Sequence, residues 1–246
     1  MSSDSAVELY LSLLKCCLLD LIYAPAREAG FDAETRRQGR DWPAFAHTMI
    51  GLDRLNNLQV CLETVVADNV PGDCIETGVW RGGAAIFMRG LLKAYRVTDR
   101  CVWVADSFEG LPSPDLERYP QDASDIHYSF RELAVPLSEV SANFERYGLL
   151  DDQVRFVVGW FHESLPIAPI ERLAVLRLDG DMYGSTMDSL VSLYPRLSAG
   201  GYVIVDDYGM SPACAQAVHD YRAAHGIAES IQAVDWTAVY WRRAAS

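Results

Sequence analysis

The chain is short of positive charge: its 246 residues carry 21 Lys and Arg against 34 Asp and Glu, a formal net charge of −13. No basic cluster exists to neutralise phosphates, which excludes nucleic acid as a partner. Long apolar runs are also missing. None approaches the ~20 residues that a membrane span needs, so no membrane role is expected. Residues 1–4 offer no basic n-region ahead of an apolar stretch, and no export leader is expected. The cysteines, Cys16, Cys17, Cys61, Cys74, Cys101 and Cys214, form no Cys-x-x-Cys pair. That argues against structural zinc and a disulfide framework and leaves free thiols in a cytoplasmic protein. There is no internal repeat. The Gly-x-Gly-x-x-Gly spacing of dinucleotide sites is lacking as well, which disfavours a nicotinamide oxidoreductase.

Half of the residues are apolar, enough core for one α/β domain with a helical extension. Apolar positions at helical spacing predict a helix over 7–23. Residues 27–40 are polar and read as a loop or lid that orders around a ligand. A second helix is expected over 49–68. From residue 73 strands and helices alternate, with strands at 74–78, 101–105, 154–158, 173–178, 202–205 and 239–241. Helices are expected at 82–95, 138–147, 185–197 and 214–225. This alternation predicts a doubly wound, mostly parallel sheet over 71–246, preceded by N-terminal helices and a lid segment over 1–70. Ligands of such sheets bind at the carboxyl ends of the strands.

Every candidate site residue in the strand segments lies at such an end. Two strands stop on carboxylates, in Leu178-Asp179-Gly180-Asp181 and Val205-Asp206-Asp207. The stretch between them holds one helix and a turn, so the strands are expected to be neighbours. Asp179, Asp206 and Asp207 then share a small space, which demands a compensating charge. Hard oxygen ligands point to Mg²⁺. Asp181 is the rival ligand. The first strand ends in Glu76-Thr77-Gly78, before a turn spaced Gly-x-x-x-Gly-Gly. Glu76 would repel a pyrophosphate but suits a cation, such as the amino group or sulfonium of S-adenosylmethionine. Asp106, followed by Ser107, ends the second strand, where a carboxylate accepts from ribose hydroxyls. Gly159-Trp160-Phe161 ends the third, and its rings can cover an adenine. Each piece alone is weak, and aromatics there are more often core. Their order along the chain carries the argument.

Long segments carry a family resemblance: Thr48-Met49-Ile50-Gly51-Leu52, residues 71–83, Ala105-Asp106-Ser107-Phe108-Glu109-Gly110-Leu111-Pro112, residues 144–154, Val158-Gly159-Trp160-Phe161, Leu176-Arg177-Leu178-Asp179-Gly180-Asp181 and residues 200–208. In these the chain closely resembles the TylF/MycF-type (macrocin) O-methyltransferases, which act on sugars of macrolide and aminocoumarin antibiotics. The resemblance implies a Rossmann-like methyltransferase that uses S-adenosylmethionine and Mg²⁺. The methylated group would be a deoxysugar hydroxyl on a glycosylated natural product. It places the metal ligands on Asp179, Asp206 and Asp207. It also points to His127, in the loop after the second strand, as a general base, with Asp179 the other candidate. Together with the apolar first helix it implies a homo-oligomer, a dimer or tetramer. One departure is Gly184, where the family usually has glutamate. A catechol-type methyltransferase and a non-catalytic S-adenosylmethionine-binding protein are the alternatives. Residues 27–40 and 113–136 are expected to close over a bulky acceptor, with Trp42, Tyr119, Tyr128 and Phe130 against its apolar part. His47, His162, His219 and His225 are read as having no role.

Overall fold

The computed structural model describes residues 5–244. Residues 1–4, on which the expectation about a leader rests, lie outside the described residues. Among the described residues no helix is long and apolar enough to cross a membrane, and all six cysteines are free.

The sheet is built from β1 (Asp73–Thr77), β2 (Val102–Asp106), β3 (Val154–Val158), β4 (Leu173–Leu178), β5 (Leu197–Val205), β6 (Gln232–Ala233) and β7 (Val239–Arg242), in the order β3-β2-β1-β4-β5-β7-β6. Strands β1 to β5 are parallel, and β7 returns antiparallel to β5. The doubly wound expectation holds. The order reverses between β1 and β4, which opens a crevice at their carboxyl ends. Register does the rest. Thr77 pairs with Ala105 on one side and Leu178 on the other, and Leu178 pairs with Val205. The next residues along each strand, Gly78, Asp106, Asp179 and Asp206, therefore stand in one row.

Helices cover both faces. On one lie α1 (Ala6–Leu18), α4 (Gly51–Ala67) and α5 (Gly83–Ala94), with Leu11, Leu14, Leu58, Leu62 and Phe87 in a shared core. On the other lie α7 (Phe161–Ile167), α8 (Tyr183–Leu193) and α9 (Pro212–Ala224), packed around Leu176, Leu190, Val218 and Trp241. Ser5 starts α1 through a capping box with Glu8, each side chain bonding the other's backbone N–H.

Several expected elements differ. The helix over 7–23 stops at Leu18, because the chain turns at Asp20, whose φ is 53°. The segment 27–40 contains α3 (Ala33–Arg37), with α2 (Ala24–Arg27) just before it. It is pinned rather than loose: buried Arg36 bonds Glu28, Asp41 and the Leu19 carbonyl. The helix expected over 185–197 begins at Tyr183, and β5 already starts at Leu197. Helix α6 (Leu137–Arg146) matches expectation; α7 and β6 have too few periodic residues to be seen in the sequence.

Candidate active site

A cavity of about 590 Å³ opens over the row of strand ends. Its floor includes Glu76, Gly78, Asp106, Ser107, Asp179, Asp206 and Asp207, and Trp160, Phe161 and His162 stand at one end. Thr77 and Gly159 do not line it. Thr77 is buried beneath, its hydroxyl 3.4 Å from that of Ser189, and Gly159 hydrogen-bonds the Asp106 carbonyl. Gly78, at φ 84°, is required: a Cβ there would run into the Asp179 carbonyl.

Oxygens of Asp179, Asp206 and Asp207 lie within 4.8 Å of one another. Asp181 stands aside from that group. Its backbone N–H, at φ 57°, donates to Asp207 Oδ2 at 2.9 Å and so orients the neighbouring carboxylate. Two buried cations lie beneath the trio. Arg177, 1 % exposed near the carboxyl end of β4, bonds Glu76 Oε1 and Asp179 Oδ2 at 2.6 Å each and also reaches Asp206 Oδ1. Arg54 of α4 takes the other Asp206 oxygen and lies 3.0 Å from Asp235. The signal for Arg177 was there, a charge inside an apolar central strand that must find partners. Arg54 had no such signal.

Electrostatics follow from this packing. Burial pushes Glu76 up to about 8, with Arg177 opposing. Burial and the charge of Asp206 raise Asp179 to about 7, again against Arg177. Burial raises Asp207 well above the usual carboxylate range, and Asp181, Asp179 and Asp206 add to it. Five carboxylates, counting Glu76 and Asp235, face two guanidinium groups, so three negative charges stay unmatched when all are ionised. A cluster of this kind fits a divalent cation.

Glu76 is fully engaged, with Oε1 on Arg177 and Oε2 accepting the Ala85 N–H at 2.9 Å. It joins the start of α5 to the acidic floor. Asp106 accepts the N–H groups of Val79 and Phe108 at 2.8 Å each, which fixes the glycine turn. Trp80 and Phe108 in those turns sit at φ 46° and 61°, a strained backbone of the kind found around ligands.

His127 also lines the cavity. Asp125 accepts from its ring Nδ1–H at 2.8 Å and from its backbone N–H at 2.9 Å. An ionised carboxylate accepts only, so Nδ1 carries the proton and Nε2 is the free basic nitrogen. Burial works against the charged ring, but Asp125 and Asp181 outweigh it and raise the His127 pKa.

Two segments wall the cavity. The strap 38–50 contributes Gly39, Arg40, Asp41, Trp42, Thr48, Met49 and Ile50 to the cavity, so the N-terminal wall begins where the expected lid 27–40 ends. Arg81 holds it through the carbonyls of Ala44 and Ala46 at 3.0 and 2.9 Å. The loop 113–136 is tied to α8. Asp122 accepts the N–H groups of Tyr183 and Gly184, while Arg118 and Tyr119 both bond Asp188 at 2.7 Å. A Cβ on Gly184 would stand 2.6 Å from the Tyr119 ring, so no side chain fits there. The walls meet where Trp42 contacts Phe130 edge to face at 6.2 Å. His162 lines the cavity, and His219 bonds Tyr208.

The fold that carries this cavity over its strand ends is shared with a solved O-methyltransferase, and its relatives place the chain among the S-adenosylmethionine-dependent O-methyltransferases. Residues 8–243 match the family described as Macrocin-O-methyltransferase (TylF). Mycinamicin III 3''-O-methyltransferase of Micromonospora griseorubida is 55 % identical, over 100 % of both chains. An 8-demethyl-8-(2,3-dimethoxy-alpha-L-rhamnosyl)-tetracenomycin-C 4'-O-methyltransferase of Streptomyces olivaceus is 56 % identical over 99 % of this chain and 96 % of its own. The solved structure of the O-methyltransferase NovP superposes with a TM-score of 0.94 at 52 % identity, covering 97 % of this chain and all of that one. The chain belongs to the TylF macrocin O-methyltransferase family.

Proposed function

We propose that this enzyme methylates a deoxysugar hydroxyl on a glycosylated antibiotic, with S-adenosylmethionine as donor and Mg²⁺ at the acidic trio. One observation carries the reading: Asp179, Asp206 and Asp207 share a cavity with His127, whose ring Asp125 holds from outside it. Relatives whose names state an acceptor methylate mycinamicin III, a rhamnosyl-tetracenomycin and demethyldecarbamoylnovobiocin, and this chain is read as acting on an acceptor of that class.

Asp179, Asp206 and Asp207 would hold Mg²⁺, which when bound supplies orientation of a sugar diol and a lower hydroxyl pKa. His127 Nε2 accepts the hydroxyl proton, and Asp125 stabilises the imidazolium that results. Asp106 and Ser107 hold the donor's ribose, and Trp160 and Phe161 flank its adenine. The walls 38–50 and 113–136 exclude water and align acceptor with methyl group; alignment alone is worth about 7–11 kcal/mol of barrier in the best intramolecular cases. An assay with methyl-labelled S-adenosylmethionine and glycosylated macrolide, tetracenomycin and aminocoumarin acceptors tests the reading, with and without EDTA. No transfer to any glycoside, or full activity in EDTA, would sink it.

The exposed side of α1, with Leu9 58 % and Leu13 57 % accessible, supports assembly of identical chains. Sedimentation equilibrium tests this, and a monomer at micromolar concentration overturns it. Free cysteines fit a reducing cytoplasm.

A further inference from the structure

We propose that Arg54 of α4 is a positioning residue of the methyl-transfer site: acting through Asp206, it ties the strap 38–50 to the acidic trio and holds down the trio's affinity for a divalent cation. The inference rests on the cation reading above. Arg54 lies in the N-terminal extension, 152 residues from Asp206 in the chain, yet it is only 6 % exposed and bonds an Asp206 oxygen. Its Nε faces Asp235 at 3.0 Å, and its Nη2 donates to the Gly39 carbonyl at 3.3 Å. Trp236, next to Asp235, donates from Nε1 to the Gln38 carbonyl at 2.9 Å and lies under the Arg40 guanidinium. One guanidinium thus joins three places, by hydrogen bonds to the end of β5 and the start of the strap and by a charge contact to the loop before β7.

Two effects of Arg54 on a cation oppose each other. It helps to aim Asp206, which favours binding, and it sets a fixed positive charge on a ligand, which opposes binding. Asp206 keeps its other oxygen on Arg177 when Arg54 is removed, so most of the aim survives and the charge effect wins. Loss of Arg54 also leaves Asp206 and Asp235 buried with one cation fewer between them. A divalent ion is then the available compensation.

The test measures Mg²⁺ binding by calorimetry and amide exchange of the strap, on the full chain. Arg54→Met is expected to bind Mg²⁺ at least tenfold more tightly than wild type and to exchange faster over 38–50. Its melting temperature should rise more on adding Mg²⁺. Arg54→Lys keeps the charge but cannot reach Asp206, Asp235 and Gly39 at once. It is expected within threefold of wild-type Mg²⁺ affinity, with faster strap exchange. Unchanged or weaker Mg²⁺ binding by Arg54→Met overturns the affinity role, and wild-type strap protection in Arg54→Lys overturns the tie. If Arg54→Met does not fold, Arg54→Lys decides: faster strap exchange supports the inference and wild-type protection overturns it. A flat wild-type titration overturns the cation reading itself and this inference with it.

Discussion

Asp125 holds His127 twice, by the ring and by the backbone two residues on, so the imidazole of an exposed loop is fixed in one tautomer facing the cavity chemistry. His127→Ala is expected to lower turnover roughly 10²-fold or more. Asp125→Asn removes a partner that raises the His127 pKa. Because the base must be neutral, the acid limb of kcat/KM should move to lower pH in Asp125→Asn while the maximum falls. A pH–rate profile with an unmoved acid limb would remove His127 from the mechanism.

The acidic trio predicts a cation requirement. Asp206→Asn should abolish Mg²⁺-dependent transfer, and EDTA should do the same to the wild type, reversed by excess Mg²⁺. Radiolabel transfer to the acceptor reads both.

Arg177 is buried between Glu76, Asp179 and Asp206. Arg177→Met leaves those carboxylates without it and should cost about 3–5 kcal/mol of stability. For a chain of this size that lowers the melting temperature by roughly 6–20 °C. Calorimetry in Mg²⁺-free buffer at pH 7.5 measures it, and an unchanged transition contradicts the electrostatic account.

Gly184 lies under Tyr119, with no room for a methyl group. Gly184→Ala should push the ring and its loop off α8. The acceptor KM is expected to rise about tenfold, with little change in affinity for S-adenosylmethionine, since the proposed donor residues Asp106, Ser107, Trp160 and Phe161 follow β2 and β3. Steady-state kinetics and donor calorimetry separate the two.

His47 bonds the Tyr147 hydroxyl at 2.8 Å, and burial, helped by Arg146 and Arg81, lowers its pKa to about 4. The unfolded chain, with a histidine near 6.5, then takes up the proton first as pH falls. Stability from this group is complete above about 6.5 and drains away toward pH 4. His47→Gln should show a shallower loss over that window in urea titrations.

The sheet was legible because its signals are local. Apolar runs such as Tyr202-Val203-Ile204-Val205 end abruptly on acids, and alternation with helices fixes parallel pairing. The acidic trio was legible for the same reason, once β4 and β5 are neighbours. What escaped depends on distant segments. Arg54 reaches Asp206 from a helix whose own pattern announces only an apolar face. Asp122 caps α8 from a loop that contains only isolated helical turns. Glu76 stood at the expected strand end, but its oxygens go to Arg177 and Ala85, partners that only the folded chain brings near. Short elements such as α7, seven residues with Pro166 inside, lack the repeats that periodicity needs.

The two cavity walls hang on the sheet by a handful of side-chain clamps: Arg81 on the strap, Asp122 and Asp188 on the loop. On the proposed reading, donor handling and acceptor choice lie in separate stretches of the chain. Exchanging residues 38–50 and 113–136 between related enzymes, with Asp122 kept in the incoming loop and Arg81 and Asp188 kept in the host, is then expected to change the glycoside accepted while donor affinity stays as it is.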